Sequence, residues 1–417
     1  MMYRNTQLSV LLLLAACNSG STASPAPSGD GAGGQTQPTR VTEQLPFNVQ
    51  RIARFEQPFA LAFLPDGTAL VTEKEGRIKL WRTGSAAVDV AGAPKVAEVS
   101  QGGLLDIAPA PDFATSRRVY LTYSEPRPQG SALALARATL DPGIAPRLSK
   151  LEVIWRSGSD GEGGQFGATI AFAPDQKSLF LTSGERQRFT PAQDPDQALG
   201  KILHLTLDGQ PAPDNPAAGR TGASSVLVTD PPRDTEAAKT APARRVAVSG
   251  PNLVPAETWS SGHRNPYGLV FAPDGRLWEH EMGPRGGDEV NLILPGRNYG
   301  WPVVSNGTNY DGKPIPAHST HPEFEAPKLW WDPSISPSGM ILYSGDIFPQ
   351  WKGSLLLGAL SGEALIRVTL SGDKASKAEQ WNMGMRIRDV AQSPDGNVWL
   401  LADGGSDGWL MRLSPKR

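Results

Sequence analysis

Residues 257–301 carry two clusters of side chains that could bind a charged ligand, one on each side of a predicted β-hairpin. The first cluster is the sequence GHRNP, which ends at Pro266. Its guanidinium and amide groups, on Arg264 and Asn265, could hold a planar ligand with several carboxylates, because a guanidinium fork matches carboxylate geometry. The same two side chains could instead tie a loop to backbone carbonyls. Taken alone, these residues leave both roles open.

The second cluster follows the hairpin, where Gly283 and Pro284 begin the sequence GPRGGDE. Its free backbone carbonyls and the acids Asp288 and Glu289 are all oxygen ligands, and oxygen ligands on an irregular loop favour calcium. The two acids could also be solvated turn residues, which is the commoner fate of such a pair. An anion clamp beside a calcium loop is the arrangement that a bound quinone cofactor with carboxylate groups requires.

Composition limits the architecture that can position these clusters. A chain of 417 residues could hold two average domains or one large β architecture. Its 45 glycines and 38 prolines leave little room for long helices and favour the second. With 40 basic and 42 acidic residues, the formal net charge is only -2. Bulk electrostatics therefore give no indication of nucleic-acid binding.

One sequence pattern recurs along the chain: a hydrophobic strand, a turn that is usually Pro-Asp, and a second strand. Its turn prolines are Pro65, Pro111, Pro174, Pro273, Pro349 and Pro394, the fifth of them in a degenerate copy. Proline presets φ and glycine accepts the positive φ of such turns, so each copy predicts a hairpin. Six hairpins at blade-length spacing predict an all-β fold, a six-bladed β-propeller with four-stranded antiparallel blades. A parallel β-helix or a sandwich explains the six copies less well.

The spacing of the turns also predicts an insertion. Pro65 and Pro111 are 46 residues apart, whereas Pro174 and Pro273 are 99 residues apart. A four-stranded blade needs about 40 to 50 residues. We therefore predict a polar, proline-rich insertion around residues 208–256. Propellers bind ligands at the mouth of the central channel, so residues far apart in sequence can share one site.

The first 40 residues are predicted to lie outside the folded domain. Residues 1–17 contain the apolar run Leu8–Ala16 and end in LAAC, which resembles a bacterial lipobox with Cys17 as the lipidated residue. An ordinary signal peptide, with Cys17 incidental, is the alternative. Residues 18–40 are rich in Gly, Ser and Pro and predict a disordered linker, so the propeller should span 41–417. We expect an exported bacterial lipoprotein of the cell envelope, held at the membrane only by its lipid anchor.

Three motifs occur together in residues 257–302: GHRNPYGL, GPRGGDEVN and NYGWP. The order and spacing of these motifs resemble those of the soluble PQQ-dependent glucose/sorbosone (aldose sugar) dehydrogenase family. The resemblance runs from Phe59 to beyond Arg386. It implies oxidation of an aldose at C1 to the lactone. PQQ would be the hydride acceptor, calcium would polarise its quinone oxygen, and the electrons would pass to an external acceptor.

The resemblance also implies roles for individual residues. The carbonyls of Gly283 and Pro284 would bind the calcium that holds PQQ, and Glu289 with the Tyr299 carbonyl would bind a second, structural calcium. The residues implied to contact PQQ are Arg264, Asn265, Arg386 and Arg388. Because Arg386 and Arg388 are two apart on a predicted strand, they should point the same way, toward an anionic ligand. Gln101 is the implied sugar contact, although it could also be an ordinary polar turn residue.

The chain departs from the family pattern at the catalytic base. Gln165 stands where the family carries its histidine, and a glutamine side chain cannot titrate. Thr169, Ser361 and Met282 also replace expected arginine, lysine and histidine residues. Losing a positioned base typically costs about a hundredfold to ten-thousandfold in rate. Asp160 or Glu162 could supply a carboxylate instead. The alternative is a non-catalytic, calcium-stabilised propeller that binds sugar, glycan or a protein partner.

Overall fold

The computed structural model describes residues 40–42, 44–158, 161–230 and 232–416. The predicted signal segment with Cys17, and residues 18–39 of the predicted linker, lie outside this part of the chain. No helix among the described residues has the length and hydropathy needed to cross a bilayer.

In the described part of the chain, six sheets each contain four antiparallel blade strands, and they confirm the predicted six-bladed β-propeller. Blade 1 contains Pro58–Phe63, Ala69–Glu73, Arg77–Trp81 and Val88–Asp89; blade 2 contains Leu104–Pro109, Arg118–Arg127, Gly130–Asp141 and Arg147–Arg156; blade 3 contains Gly167–Phe172, Ser178–Ser183, Lys201–Thr206 and Thr258–Ser261. Blade 4 contains Pro266–Phe271, Leu277–Glu281, Asp288–Ile293 and Leu329–Trp331; blade 5 contains Pro337–Leu342, Leu355–Ala359, Ala364–Ser371 and Lys374–Asn382; blade 6 contains Ile387–Gln392, Val398–Ala402, Gly408–Pro415 and Phe47–Phe55.

The helices are single turns in the connections between strands. The α-helical turns are Phe113–Ser116 and Val254–Glu257, and the 3-10 turns are Thr190–Gln193, Glu236–Thr240, His318–Thr320, Pro349–Trp351 and Gly405–Asp407. Arg40–Thr42 adds a fifth, parallel strand to blade 5.

All six predicted turn prolines lie between the first and second strands of a blade, so the six predicted hairpins are confirmed. The turn of blade 1 shows why this sequence pattern forms a hairpin. The Thr68 amide donates to the Asp66 carboxylate at 2.9 Å, and Gly67 has φ +82. The aspartate therefore satisfies a turn amide, and glycine accepts a backbone conformation that a side chain would strain.

The propeller ring is closed by strand pairing within blade 6. Phe47–Phe55 pairs antiparallel with Gly408–Pro415, so the two ends of the folded chain share one sheet. Half-buried carboxylates also join neighbouring blades. Asp106 accepts from the Ile170 amide at 2.8 Å, and Asp389 accepts from the Leu61 amide at 2.7 Å. These contacts hold the inner strands at fixed spacing, and thereby fix the loops at the channel mouth.

Between the third and fourth strands of blade 3 the chain makes a long excursion, residues 207–257, which covers the insertion predicted at 208–256. It contains an extra hairpin, Ser225–Thr229 with Ala243–Ala247, and the turn Glu236–Thr240. Its segment around Asp234 reaches the channel mouth, where Asp234 lines the cavity described below.

Candidate functional site

Seven of the residues predicted to bind cofactor, sugar or metal, together with Gln165 at the predicted position of the catalytic base, line one cavity of about 270 Å³. They are Gln101, Gln165, Arg264, Asn265, Gly283, Pro284, Arg386 and Arg388. Most of them come directly before the first strand of a blade, and Gly283 comes directly after the second strand of blade 4. Because the first strands of a propeller run in the same direction around its axis, these positions meet at one mouth of the channel.

The cavity is basic. Lys74, Arg264, Arg386 and Arg388 line it, and Asp234 is the one acid among the described residues that do so. Burial lowers the pKa of Lys74, and the nearby Arg388 lowers it further. Crowded positive charge of this kind suits a ligand with several carboxylates, which would relieve the repulsion between the cations.

Arg264 stands between the two predicted clusters. Its Nη1 donates to the carbonyls of Met282 at 3.0 Å and Gly283 at 2.8 Å. The guanidinium lies 5.3 Å from the centre of the Trp301 ring, and its Nε is buried with no hydrogen-bond partner among the described residues. A buried donor without a partner is costly, so an acceptor from a bound ligand would stabilise it.

Asn265 contacts a backbone amide of the neighbouring blade. Its Oδ1 accepts from the Gly167 amide at 3.2 Å, which links blade 4 to the start of blade 3. Asn265 nevertheless lines the cavity. Arg264 and Asn265 therefore both contact backbone groups, as one of the two alternatives predicted, and both also line the cavity, where the predicted ligand role stays a prediction.

Arg386 and Arg388 line the cavity but also share a partner within the chain. Arg388 Nη2 lies 2.7 Å and Arg386 Nε 3.2 Å from Asp403 Oδ2. Burial alone would raise the pKa of Asp403, yet the two guanidiniums, Arg388 foremost, hold it below its usual range. The predicted anionic ligand is therefore not the first partner of this pair, since Asp403 already supplies one carboxylate. The trio keeps a net charge of about +1 toward the cavity.

Gln165 takes part in a tight network at the cavity wall. Its backbone amide donates to Gln101 Oε1 at 2.7 Å, so the predicted sugar contact also supports the loop of Gln165. Its side chain fits best with Oε1 accepting from Arg264 Nη2 at 2.8 Å and Nε2 donating to Glu185. The opposite orientation would let Nε2 donate to Asp234 Oδ1 at 3.3 Å, but it would face the guanidinium donor to donor. We adopt the first orientation.

Glu185 is a residue of this site that the sequence did not reveal. It is buried directly behind Gln165 and accepts from the Gln187 amide at 3.1 Å and the Arg188 amide at 2.5 Å. Burial raises its pKa to about 7, although Arg264 opposes the shift. Its place in the sequence was the signal that could have found it. Glu185 follows the second strand of blade 3, and this strand ends at the same mouth as Gln165.

The Gly283–Pro284 turn is held by a buried acid. Asp288 Oδ1 accepts from the Gly283 amide at 2.8 Å, and Asp288 Oδ2 accepts from the Ile335 and Ser336 amides at 2.7 Å each. Asp288 and Glu289 are both buried, so the alternative that they are solvated turn acids is wrong. A Cβ on Gly283 would lie 2.3 Å from the Gly286 carbonyl oxygen and 2.4 Å from that of Gly287. Several carbonyls therefore crowd around this turn, as a hard cation would need.

Glu289 and Tyr299 line a small recess beside the main cavity, to which Arg264, Met282 and Gly283 also belong. Glu289 Oε1 lies 3.5 Å from His318 Nε2. Deeper in blade 4, potential ligand atoms of His263, Glu279 and Glu281 lie within 4.8 Å of one another. Glu279 Oε1 and Asn291 Oδ1 are buried with no partner among the described residues. Burial and the neighbouring Glu281 raise the pKa of Glu279 well above its usual range. This oxygen-rich set fits a hard divalent cation.

The remaining predicted positions have other surroundings. Glu162 is exposed and does not line the cavity, and Asp160 lies outside the described residues. Thr169 Oγ1 donates to the Tyr267 carbonyl at 2.9 Å, and Ser361 Oγ lies 2.8 Å from Ser336 Oγ. Met282 lines the cavity.

Comparison with known proteins gives a consistent result over the whole propeller. The glucose/sorbosone dehydrogenase family model matches residues 55–246 and 237–412. Aldose sugar dehydrogenase YliI of Escherichia coli (strain K12) is 36% identical over 372 residues, which cover 87% of this chain and 91% of that protein. A crystal structure of a glucose dehydrogenase is similar with a TM-score of 0.77 and 40% identity, covering 88% of this chain and 100% of that one. The PQQ-bound form of aldose sugar dehydrogenase from Streptomyces coelicolor has a TM-score of 0.66 and 26% identity, covering 89% and 98%.

Proposed function

Because the chain belongs to the glucose/sorbosone dehydrogenase family, we propose that it oxidises an aldose sugar at C1 to the lactone, with PQQ and calcium as cofactors. The observation that carries the proposal is the meeting of Arg264, Arg388 and the Gly283–Pro284 turn in one basic cavity. The names of the relatives support the same chemistry, since they include aldose sugar dehydrogenases and one PQQ-bound form.

The residues of the cavity fit a quinone that carries carboxylates. Arg264 would bind it through the buried Nε that has no partner within the described chain. Arg386 and Arg388 would supply the positive charge that the single carboxylate of Asp403 does not neutralise. When bound, PQQ supplies the acceptor for the hydrogen and electron pair that leave C1 of the sugar. Gln101 lines the same cavity and would bind sugar hydroxyls. The electrons would then pass to an external acceptor.

Calcium would bind at two places in this proposal. Gly283 and Pro284 line the main cavity, where their carbonyls would hold an ion that acts as a Lewis acid beside the quinone. Glu289 and the Tyr299 carbonyl, in the adjoining recess, would hold a second ion with a structural role. The unpartnered oxygens of Glu279 and Asn291 behind this recess support a cation in this part of blade 4.

Location is part of the proposal. Cys17 would carry the lipid that holds the exported protein in the cell envelope, with the propeller facing the compartment where sugars are available. Replacing Cys17 by Ala should abolish incorporation of labelled palmitate and release the protein from membranes. Retention of the label in this variant would refute lipidation at Cys17.

One observation favours a second candidate function. Gln165 cannot act as a base, so a non-catalytic propeller that keeps its cofactor site and binds sugar, glycan or a protein partner is the alternative. Purified protein supplied with PQQ and calcium separates the two. Quinone absorbance with aldose-dependent dye reduction supports the enzyme, and PQQ binding without dye reduction supports the binding protein. If PQQ does not bind, it is not a cofactor of this protein.

A further inference from the structure

We propose that Asp234, which the insertion of blade 3 carries to the channel mouth, is the group that removes the proton from the sugar hydroxyl. This inference rests on the proposed sugar oxidation and names the base that Gln165 cannot provide. Asp234 lines the same cavity as Gln165, Gln101 and Arg264. It was not among the acids that the sequence suggested as replacements.

The carboxylate of Asp234 is held in place from one side. Its Oδ2 accepts a short hydrogen bond from Gln187 Nε2, and Gln187 Oε1 accepts from the Gly164 amide at 2.8 Å. The backbone is anchored as well, since the Arg233 amide donates to the Gln187 carbonyl at 2.9 Å. Gln187 therefore fixes Asp234 against the loop that carries Gln165.

The second oxygen of Asp234 is the one that can act on a ligand. Asp234 Oδ1 lies 3.3 Å from the terminal amide atom of Gln165. In the adopted orientation of Gln165 that atom is Oε1, which already accepts from Arg264 Nη2. Two acceptor oxygens then face each other at the cavity wall. A hydroxyl group that approaches this pair from the cavity would donate to Asp234 Oδ1, which is the contact that a general base needs.

Other acids of the described chain are less suited to this role. Glu185 lies behind Gln165, does not line the cavity and already accepts from several backbone amides. Asp403 is paired with two arginines, and Asp106 and Asp389 bind inner-strand amides. Glu162 is exposed away from the cavity. Asp234 is the acid that combines a cavity position with an oxygen left for a ligand.

The step balances without a further reactant. The O–H bond at C1 of the sugar breaks, its electron pair forms the C=O bond of the lactone, and the proton joins the Asp234 carboxylate. The C1 hydrogen leaves with its electron pair to the acceptor that the proposed function already includes. The proton on Asp234 then returns to water through the open cavity mouth.

The test uses the full-length protein supplied with PQQ and calcium, and the variants Asp234→Asn and Asp234→Ala. Glu236→Gln is the matched control, because Glu236 lies on the same segment and makes an exposed ion pair with Lys313 at 3.0 Å outside the cavity. We expect Asp234→Asn to lower kcat about a hundredfold or more, because a positioned base contributes that much, while PQQ capture stays unchanged. Formate should restore part of the turnover of Asp234→Ala. The PQQ-free Asp234→Ala protein should also bind the aldose several-fold more weakly by NMR titration, because it lacks a charged hydrogen-bond acceptor. The control should match wild type throughout.

The outcomes separate the two proposals. Turnover of Asp234→Asn within threefold of wild type would overturn the role of Asp234. A loss that formate does not rescue, together with unchanged sugar affinity of the PQQ-free Asp234→Ala protein, would also overturn it and leave Asp234 a structural residue. A wild-type protein that captures PQQ but oxidises no aldose would overturn the proposed function itself, and the base with it.

Discussion

Arg264 Nη1 donates to the carbonyl of Gly283 at 2.8 Å, so the residue predicted to bind the quinone touches the residue predicted to bind calcium. A carbonyl oxygen has two lone pairs, and one of them remains for a cation. The guanidinium charge beside it would weaken cation binding unless an anion also contacts Arg264. Binding of the two cofactors should therefore be mutually favourable, because each lowers the electrostatic cost of the other.

Calcium binding should stabilise the protein measurably. A ligand that binds only the native state at 100 times its Kd adds about 2.7 kcal/mol to the free energy of unfolding. We therefore expect excess chelator to lower Tm by several degrees, and added calcium to restore it. Glu289→Gln should shrink the difference in Tm between calcium and chelator, whereas the exposed Glu323→Gln should leave it unchanged. Thermal scans that give one Tm with and without chelator would remove structural calcium from the proposal.

The arginine pair of blade 6 should contribute unequally to PQQ binding. The side chain of Arg388 is 14% exposed, against 46% for Arg386. Charge-assisted bonds are worth more where water is excluded, so Arg388→Ala should weaken PQQ affinity more than Arg386→Ala. We expect at least about tenfold for Arg388→Ala, measured by titrating PQQ absorbance in the presence of calcium.

Asp403 has to be included in that experiment. Removing both arginines leaves its carboxylate unpaired and partly buried, which destabilises the fold for reasons unrelated to PQQ. The variant Arg386→Ala/Arg388→Ala/Asp403→Asn removes the trio and its net positive charge together. If this variant is folded by circular dichroism and binds PQQ like wild type, the two arginines serve only to position Asp403.

The sequence predicted those features that a local segment determines. The turn proline of each hairpin, and the aspartate that usually follows it, act within a few residues, so the six blades could be counted from Pro65 to Pro394. Motifs such as GHRNP likewise placed Arg264 and Asn265 at the mouth. Asp403 as the partner of Arg388, and the closing strand Phe47–Phe55, depend on segments far apart in sequence. Such pairings follow from the closed ring, and a reading of local patterns has no access to them.

The cluster around Gln165 shows the same limit. Glu185 follows a strand without a recognisable motif, and Asp234 lies in an irregular insertion whose path the composition does not determine. Their closeness to Gln165 is a property of tertiary structure alone. The acids chosen from sequence proximity, Asp160 and Glu162, illustrate why distance along the chain is a poor guide in a propeller, where neighbouring loops come from different blades.

Glu257 should make stability depend on pH. It is buried with one hydrogen bond, from Trp155 Nε1 at 2.9 Å, and burial raises its pKa to about 7 despite that bond. The folded state therefore retains a proton that the unfolded state loses above about pH 4.5, so stability falls as pH rises from about 4.5 to about 7. The loss amounts to roughly 3 kcal/mol at most.

Glu257→Gln tests this directly, because its amide is neutral at every pH and can still accept from Trp155. Urea unfolding followed by tryptophan fluorescence should give equal midpoints for variant and wild type at pH 4.5. At pH 8 the variant should be the more stable protein. The exposed Glu152→Gln is the control and should track wild type at both values. A variant that is less stable than wild type at pH 8 would show that the Glu257 carboxylate is ionised and stabilising.

Restoring an imidazole at the site should change the reaction most clearly. His is tolerated at the positive φ of 55 that Gln165 adopts, and Glu185 directly behind it would accept from the ring and orient it. We expect Gln165→His to raise turnover on aldoses at least tenfold, with the gain appearing as pH rises through the imidazole pKa, near 6.5. PQQ affinity should hardly change.

Gln165→His combined with Glu185→Gln is the informative control, since it keeps the imidazole but removes the carboxylate that orients it, and should lose most of the gain. Dye-reduction rates against pH distinguish the cases. A wild type that is already as fast as Gln165→His would mean that Asp234 is as effective a base as the imidazole, and Asp234→Asn should then abolish the wild-type rate while sparing that of Gln165→His. If neither form turns over although PQQ binds, the changes at Thr169 and Ser361 also matter, and the binding-protein function becomes the better account.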